Sequence, residues 1–308
     1  MSVTAEAAAA RAPVTHEPTR RRLPFEIKML APALLVLAAV SLFPFFYIIA
    51  MSLSQVKLIG GISFNWAALD NWSRLFGDGA VWASWVRSIV YFIATVGLEL
   101  FLGVTIALAI HEAKRGRNIL ISVVLMPMFM APVIVGLLGR FLTDSTYGLY
   151  AWILRSLHLY TGDILGTKTA AFAAVTLMDV WEWTPLIALI VLAGLASLPR
   201  SVLEAAAVDG ASYWGRLRYI VVPMLGGVLI VALLIRSMDA LRYFDIITNT
   251  TNGGPADATK IVPIRLYETA FRFFDLGYAA AIGLSMLFVT ILIANGFMRV
   301  MKARGLAR

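Results

Sequence analysis

The sequence predicts an all-α polytopic membrane protein with six transmembrane helices and a polar helix–turn–helix on one side of the bilayer. Three observations predict it. The 308-residue chain is 60% hydrophobic and only 14% charged, where a soluble domain carries about a quarter charged residues. Its mean hydropathy is +0.82. The apolar residues also gather into six stretches long enough to cross roughly 30 Å of hydrocarbon at about 1.5 Å per residue. These run over residues 30–51, 87–111, 119–142, 170–194, 224–247 and 279–300.

The net charge of +8 invites a nucleic-acid reading, but in a membrane protein basic residues set topology, and no nucleic acid is expected as a partner. With the N-terminus placed in the cytoplasm, the inner segments hold five, three, three and four Lys or Arg residues, 15 in all. The opposite loops hold 7, and Arg87, Arg140, Arg236 and Arg242 lie in or at the edge of spans. This asymmetry puts both termini and residues 195–223 in the cytoplasm. The absence of cysteine excludes disulfides, thiolate metal sites and cysteine nucleophiles.

Residues 1–29 are Ala-, Pro- and Arg-rich without an apolar period, which predicts a disordered cytoplasmic tail. "TRRRLPF" resembles a twin-arginine export signal, but the apolar run after it is about 22 residues, beyond the 7–15 of a signal h-region. Span 1 is therefore read as an anchor that opens a transmembrane domain over 30–300. In the first outer loop Trp66, Leu69, Trp72, Leu75 and Phe76 fall at helical spacings, followed by Trp82 and Trp85. That pattern predicts an amphipathic helix at the interface, where Trp prefers to sit.

Residues 112–118 form a short basic turn. Pro127, Pro132 and Pro185 each remove an intrahelical hydrogen bond and predict kinks in spans 3 and 4. Gly253-Gly254-Pro255 marks a turn. Ile264, Tyr267, Phe271 and Phe274 after it predict a second surface helix, and residues 301–308 are a cytoplasmic tail.

The segment "EAAAVDGASYWGRLRYIVVPML", residues 204–225, is polar where a plain connection would serve. Ser201 with Glu204 reads as a capping box, and Ala205, Ala206 and Ala207 are strong helix formers. Asp209 leads into Gly210, which can take a left-handed conformation and end the helix. Ser212 then offers a second cap, and Pro223 marks where the next helix runs into span 5. The prediction is two short helices at an angle, a knob shaped for a partner's groove.

Span 5 carries Arg236, Asp239 and Arg242. Each costs about 2.5–3.5 kcal/mol at mid-helix on the insertion scale. The twelve Leu, Ile, Val and Phe residues of the span return only about 0.5 kcal/mol each. Its polar face must then look into protein or a water-filled cavity. Arg236, Asp239 and Tyr243 share one helix face, and Asp179, Glu182 and Trp183 share another on span 4. Carboxylates and arginines hydrogen-bond hydroxyls, while Trp and Tyr stack on the apolar face of a sugar. The alternative is an Arg236–Asp239 structural ion pair with Arg242 snorkelling outward. Glu99 and Arg140 read as structural.

The spacing Glu-Ala-Ala, three residues, Gly, nine residues, Ile, two residues, Pro resembles the cytoplasmic EAA loop of ATP-binding-cassette importer permeases. The matching residues are Glu204, Ala205, Ala206, Gly210, Ile220 and Pro223, with Val222 where the family has Leu and Gly227 where a second proline is common. "WAALDNWSRLF", "LASLPRSVLEAAAVDGAS", "FDIITNTTNGGPADAT" and "ETAFRFFDLGYAAA" resemble the carbohydrate-uptake branch of that family.

The resemblance implies a multi-pass subunit of a bacterial cytoplasmic (inner) membrane that moves a sugar or polyol by alternating access. It implies a second, homologous permease, a nucleotide-binding ATPase dimer and an extracytoplasmic solute-binding protein as partners, besides membrane lipid. The EAA loop would contain the coupling helix. The spans flanking it would hold substrate through Asp179, Glu182, Trp183, Arg236, Asp239 and Tyr243. ATP and Mg would bind the partner ATPase, and no cofactor is expected on this chain.

The sequence holds no phosphate-cradling Gly-x4-Gly-Lys-Ser/Thr loop. The rivals are an ion-coupled secondary transporter using Asp179, Glu182 and Asp239 as a proton relay, an importer permease for a non-carbohydrate solute, and a membrane enzyme. "HEAKR" misses the zinc-binding His-Glu-x-x-His at Arg115, the three histidines are scattered, and no catalytic constellation or metal site is expected.

Overall fold

A computed structural model of the chain describes residues 25–57, 63–113 and 115–303. The predicted disordered tail lies outside these residues up to position 24, and its last five residues already belong to the first helix. The end of the C-terminal tail, 304–308, also lies outside them.

The chain separates into two units at Tyr47 and Ile48. The first is most of α1 (Phe25–Ser52). Leu34, Leu35, Val36, Leu37, Val40 and Phe43 are all exposed, so the helix is apolar on every side, as a lipid-surrounded span requires.

The second unit begins with a hairpin that the all-helical reading did not foresee, β1 (Ser54–Lys57) and β2 (Ser63–Trp66), antiparallel with Ser54 opposite Trp66. The predicted interfacial helix is correspondingly shorter. Trp66 is in a strand, α2 covers only Asp70–Gly77, and Trp82 and Trp85 belong to the next span. Asp78 ends α2 and caps α3 (Gly79–Glu112), accepting from the Ala80 N–H at 2.9 Å. At 34 residues α3 is about 51 Å long, so it projects beyond the hydrocarbon.

The third predicted span is broken. α4 (Arg117–Leu125) gives way to a tight turn at Pro127–Phe129, and α5 (Pro132–Leu142) starts afresh. Each proline lacks the N–H that would continue the ladder, and each sits where a helical segment begins. Neither piece alone is long enough to cross a bilayer. After α6 (Leu149–Ser156), α7 (Lys168–Ala196) runs through Pro185 without a break.

Span 5 is assembled differently from its hydropathy. α8 (Arg200–Val208) and α9 (Tyr213–Arg216) precede a widened turn at Leu217–Val221 and α10 (Val222–Met224). α11 (Gly226–Ala240) then departs at 62° from the Tyr213–Met224 segment. It ends at Ala240 rather than 247, and α12 (Asp245–Thr250) and α13 (Val262–Tyr267) follow, with a widened turn at Glu268–Arg272. This is not the surface helix the sequence predicted: Val262, Ile264, Thr269 and Ala270 are buried, and Phe274 lies beyond it at φ +54°. α14 (Leu276–Ala303) is the last span. Among the described residues four helices are long and apolar enough to cross a membrane, five if the bent pair counts as one. The helices that meet this test among the described residues thus number fewer than the six apolar stretches.

Three apolar clusters hold the second unit together. Ala107, Ile187, Val191 and Leu225 join α3, α7 and the start of α11. Tyr91, Val135, Val175, Tyr243 and Ile246 join α3, α5, α7 and α12. Leu75, Val81, Trp85, Val262 and Ile282 join α2, α3, α13 and α14. α3 and α7 approach closely at Gly103, where an added Cβ would lie 2.7 Å from that of Ile187.

Candidate functional site

Two features stand out, a charged node among α3, α7 and α11 and the helical loop between α7 and α11. Arg236 is at the centre of the node and is completely buried. Its Nε donates to Glu99 Oε2 at 2.7 Å and its Nη2 to Glu99 Oε1 at 2.9 Å, a fork-to-fork pair. Nη2 also donates to Asp179 Oδ1 at 2.7 Å, and Nη1 to Asp239 Oδ2 at 3.1 Å. Tyr91 donates to the other oxygen of Asp179 at 3.0 Å. Three helices thus meet on one guanidinium. An isolated charge there would be prohibitive, and the geometry satisfies it with three carboxylates.

Next to the node, Tyr243 donates to Glu182 Oε2 at 2.7 Å, and Trp183 Nε1 lies 3.4 Å from the Tyr243 hydroxyl. The Arg236 guanidinium stands 5.4 Å from the Trp183 ring and 5.6 Å from the Tyr243 ring. Among the described residues Glu182 Oε1 and Ser237 Oγ are buried without a hydrogen-bond partner. Asp239 is the accessible edge: its side chain is 34% exposed, and Arg242, 73% exposed, stands 3.7 Å from it.

All six residues predicted for a substrate surface are gathered here, but not as an isolated Arg236–Asp239 pair. Glu99, read as structural, is the principal partner of Arg236, and Tyr91 joins through Asp179. A carboxylate in mid-span needs a partner, so Glu99 carried a signal. Tyr91 carried none. Arg140 is exposed in the last turn of α5.

In the loop, Gly210 takes φ +76° and ends α8, and Ser212 Oγ accepts from the Gly215 N–H at 3.2 Å to cap α9. The capping box does not form. Pro199 is the cap residue and α8 starts at Arg200, so Ser201 is already helical and its hydroxyl caps nothing. Glu204, Ala205, Asp209 and Pro223 are exposed, Ala206 is buried and Ile220 half-buried. Val208, Trp214 and Tyr219 are 88%, 73% and 74% exposed, an apolar surface left open among the described residues.

The family described as "Binding-protein-dependent transport system inner membrane component" matches residues 99–304. The trehalose/maltose transport system permease protein MalF of Thermococcus litoralis is 38% identical over 226 residues, 73% of this chain and 75% of that one. The trehalose transport system permease protein SugA of Mycobacterium tuberculosis is 31% identical over 288 residues, 92% and 90% of the two chains. The fold is that of a chain in the crystal structure of a bacterial ABC transporter involved in import of the acidic polysaccharide alginate. That likeness has a TM-score of 0.75 and 21% identity, covering 92% of this chain and 96% of that one. With its bent fifth span, its capped loop and these relatives, the chain belongs to the family of binding-protein-dependent transport system inner membrane components.

Proposed function

We propose that the protein is one permease subunit of an ATP-driven importer for a sugar or polyol. The observation that carries this reading is the loop. A left-handed glycine and a serine cap hold α8 and α9 at a fixed angle, with Val208, Trp214 and Tyr219 uncovered. The loop joins α7 to α11, the two helices that supply most of the charged node. A push on the loop is thereby transmitted to Asp179, Arg236 and Asp239.

In this reading the loop seats in a separate ATPase dimer that binds ATP and Mg, and both termini are cytoplasmic. A second permease supplies the other wall, and a solute-binding protein delivers substrate from outside. Closure of the ATPase dimer moves the loop, and the cavity opens outward by alternating access. Arg236 spends its donors on Glu99, Asp179 and Asp239, so it positions rather than contacts. Asp239 and Trp183 form the reachable edge, the first accepting hydrogen bonds from hydroxyls and the second offering a stacking face. The names of the trehalose and maltose relatives support a carbohydrate.

A second reading rests on the several carboxylates around one guanidinium, which suit a proton-coupled carrier. Reconstituted vesicles separate the two. Uptake of labelled trehalose, maltose or a polyol should require ATP and the ATPase subunit and survive collapse of the proton gradient. Uptake that follows the gradient without ATP would overturn the importer reading.

A further inference from the structure

A groove lies apart from the node and the loop, between the N-terminal parts of α3 and α7. It encloses about 340 Å³, and its lining includes Val86, Val90, Phe172 and Ala258, with Arg87 and Lys168 beside them. Arg87 is half-buried, and its bonds are to neutral acceptors: Nε to the Lys260 carbonyl at 3.1 Å and Nη2 to Ser84 Oγ at 3.3 Å. Among the described residues neither Arg87 nor Lys168 has a carboxylate partner. Asp257, on the neighbouring loop, is already held by Lys260 at 2.6 Å and Arg265 at 3.3 Å.

The level of these two cations matters. The apolar stretches of the two helices begin at 87 and 170, so both cations stand at the edge of the hydrocarbon on the same side. From there α3 turns Val86, Ile89, Val90 and Ile93 outward, 60%, 47%, 49% and 63% exposed. An unpaired cation at this depth is costly unless it reaches headgroups or a counter-charge. The combination is two free positive charges at headgroup height above an open apolar wall.

We propose that this groove binds an anionic phospholipid of the bilayer, its phosphate at Arg87 and Lys168 and its acyl chains along Val86, Val90 and Phe172. A neutral lipid fills the wall but leaves both cations unmatched. Each basic residue near a membrane surface favours anionic lipid by on the order of fivefold, and two together by on the order of thirtyfold.

The test uses the assembled importer in nanodiscs of phosphatidylcholine carrying a trace of photoactivatable phosphatidylglycerol or its phosphatidylcholine analogue. Cross-links are mapped by peptide mass spectrometry. The wild type should label at 86–93 and 168–172 with the phosphatidylglycerol probe preferred. Lys168→Gln, a change at an exposed side chain, should cut that preference roughly fivefold, and Arg87→Gln with Lys168→Gln roughly thirtyfold. Arg87→Lys keeps the charge and should keep the preference. Equal labelling by the two probes, labelling unchanged in the double variant, or displacement by inorganic phosphate would each overturn the proposal. So would cross-linking of Val90→Cys, in this cysteine-free chain, to another protein subunit across the groove.

Discussion

Arg236 decides the residue-scale energetics. It is fully buried on four hydrogen bonds to three carboxylates. Arg236→Met would strand Glu99 and Asp179 and should cost about 3–5 kcal/mol, read as a fall in thermal unfolding temperature in detergent and in membrane yield. Removing Asp239 as well does not rescue it, because the Glu99 fork and Asp179 remain unmatched. Asp239→Asn is the complementary change. Arg236 keeps its three bonds to Glu99 and Asp179, so assembly should hold while substrate uptake falls severalfold. Unimpaired uptake would remove Asp239 from the pathway. The sequence made Arg236 and Asp239 legible as partners because they stand three apart on one helix. It hid the Glu99 fork because that partner is 137 positions away, and no local spacing reports such a pairing.

At the scale of elements, close approach and backbone conformation set what can change. Gly103→Leu would drive side-chain atoms into Ile187 and the Ala188 backbone, 2.7 and 3.1 Å from the first added carbon. Overpacking of this kind costs about 1–3 kcal/mol and should appear as lower thermal stability of the assembled complex. Gly210 differs: a Cβ there meets nothing, but its φ of +76° is a conformation that branched side chains avoid. Gly210→Val should leave insertion intact and uncouple ATPase stimulation from binding protein and substrate, and normal stimulated uptake would sink the coupling assignment. In the loop after α12, the Lys260 ammonium bonded to Asp257 holds that carboxyl below its ordinary 3.8. The stabilisation this ion pair gives is present above that value and is lost as pH falls through the lowered one. Protection of the amides in 250–275 relative to their intrinsic exchange rates should fall in that acid range, and should fall less there in Asp257→Asn. The glycine and serine signals of the loop were legible because they are local. The capping box misled because Pro199 takes the cap position and the helix starts at Arg200, one residue before Ser201. The break in span 3 was legible only as a kink, since its apolar run continues through both prolines.

For the whole molecule, hydropathy counts apolar stretches, whereas crossing a membrane also needs continuous helix. The described residues meet both conditions in four helices, and in a fifth if the 62° bend at Leu225 lies within one span. Orientation rests on a different signal, the 15 to 7 division of Lys and Arg, which acts during insertion and leaves little trace in packing. It can be read directly because the chain has no cysteine. Single cysteines at Arg115 and Asp209 should be shielded from an impermeant thiol reagent in intact cells, while one at Ala256 should react. Arg115, Asp209 and Ala256 are all exposed on the protein, so shielding of the first two does not come from the packing of this chain. Permeabilised cells supply the control, where all three should label. The reverse pattern would put the EAA-type loop outside, where no ATP is available to a partner, and would overturn the coupling role and the inward-facing termini together.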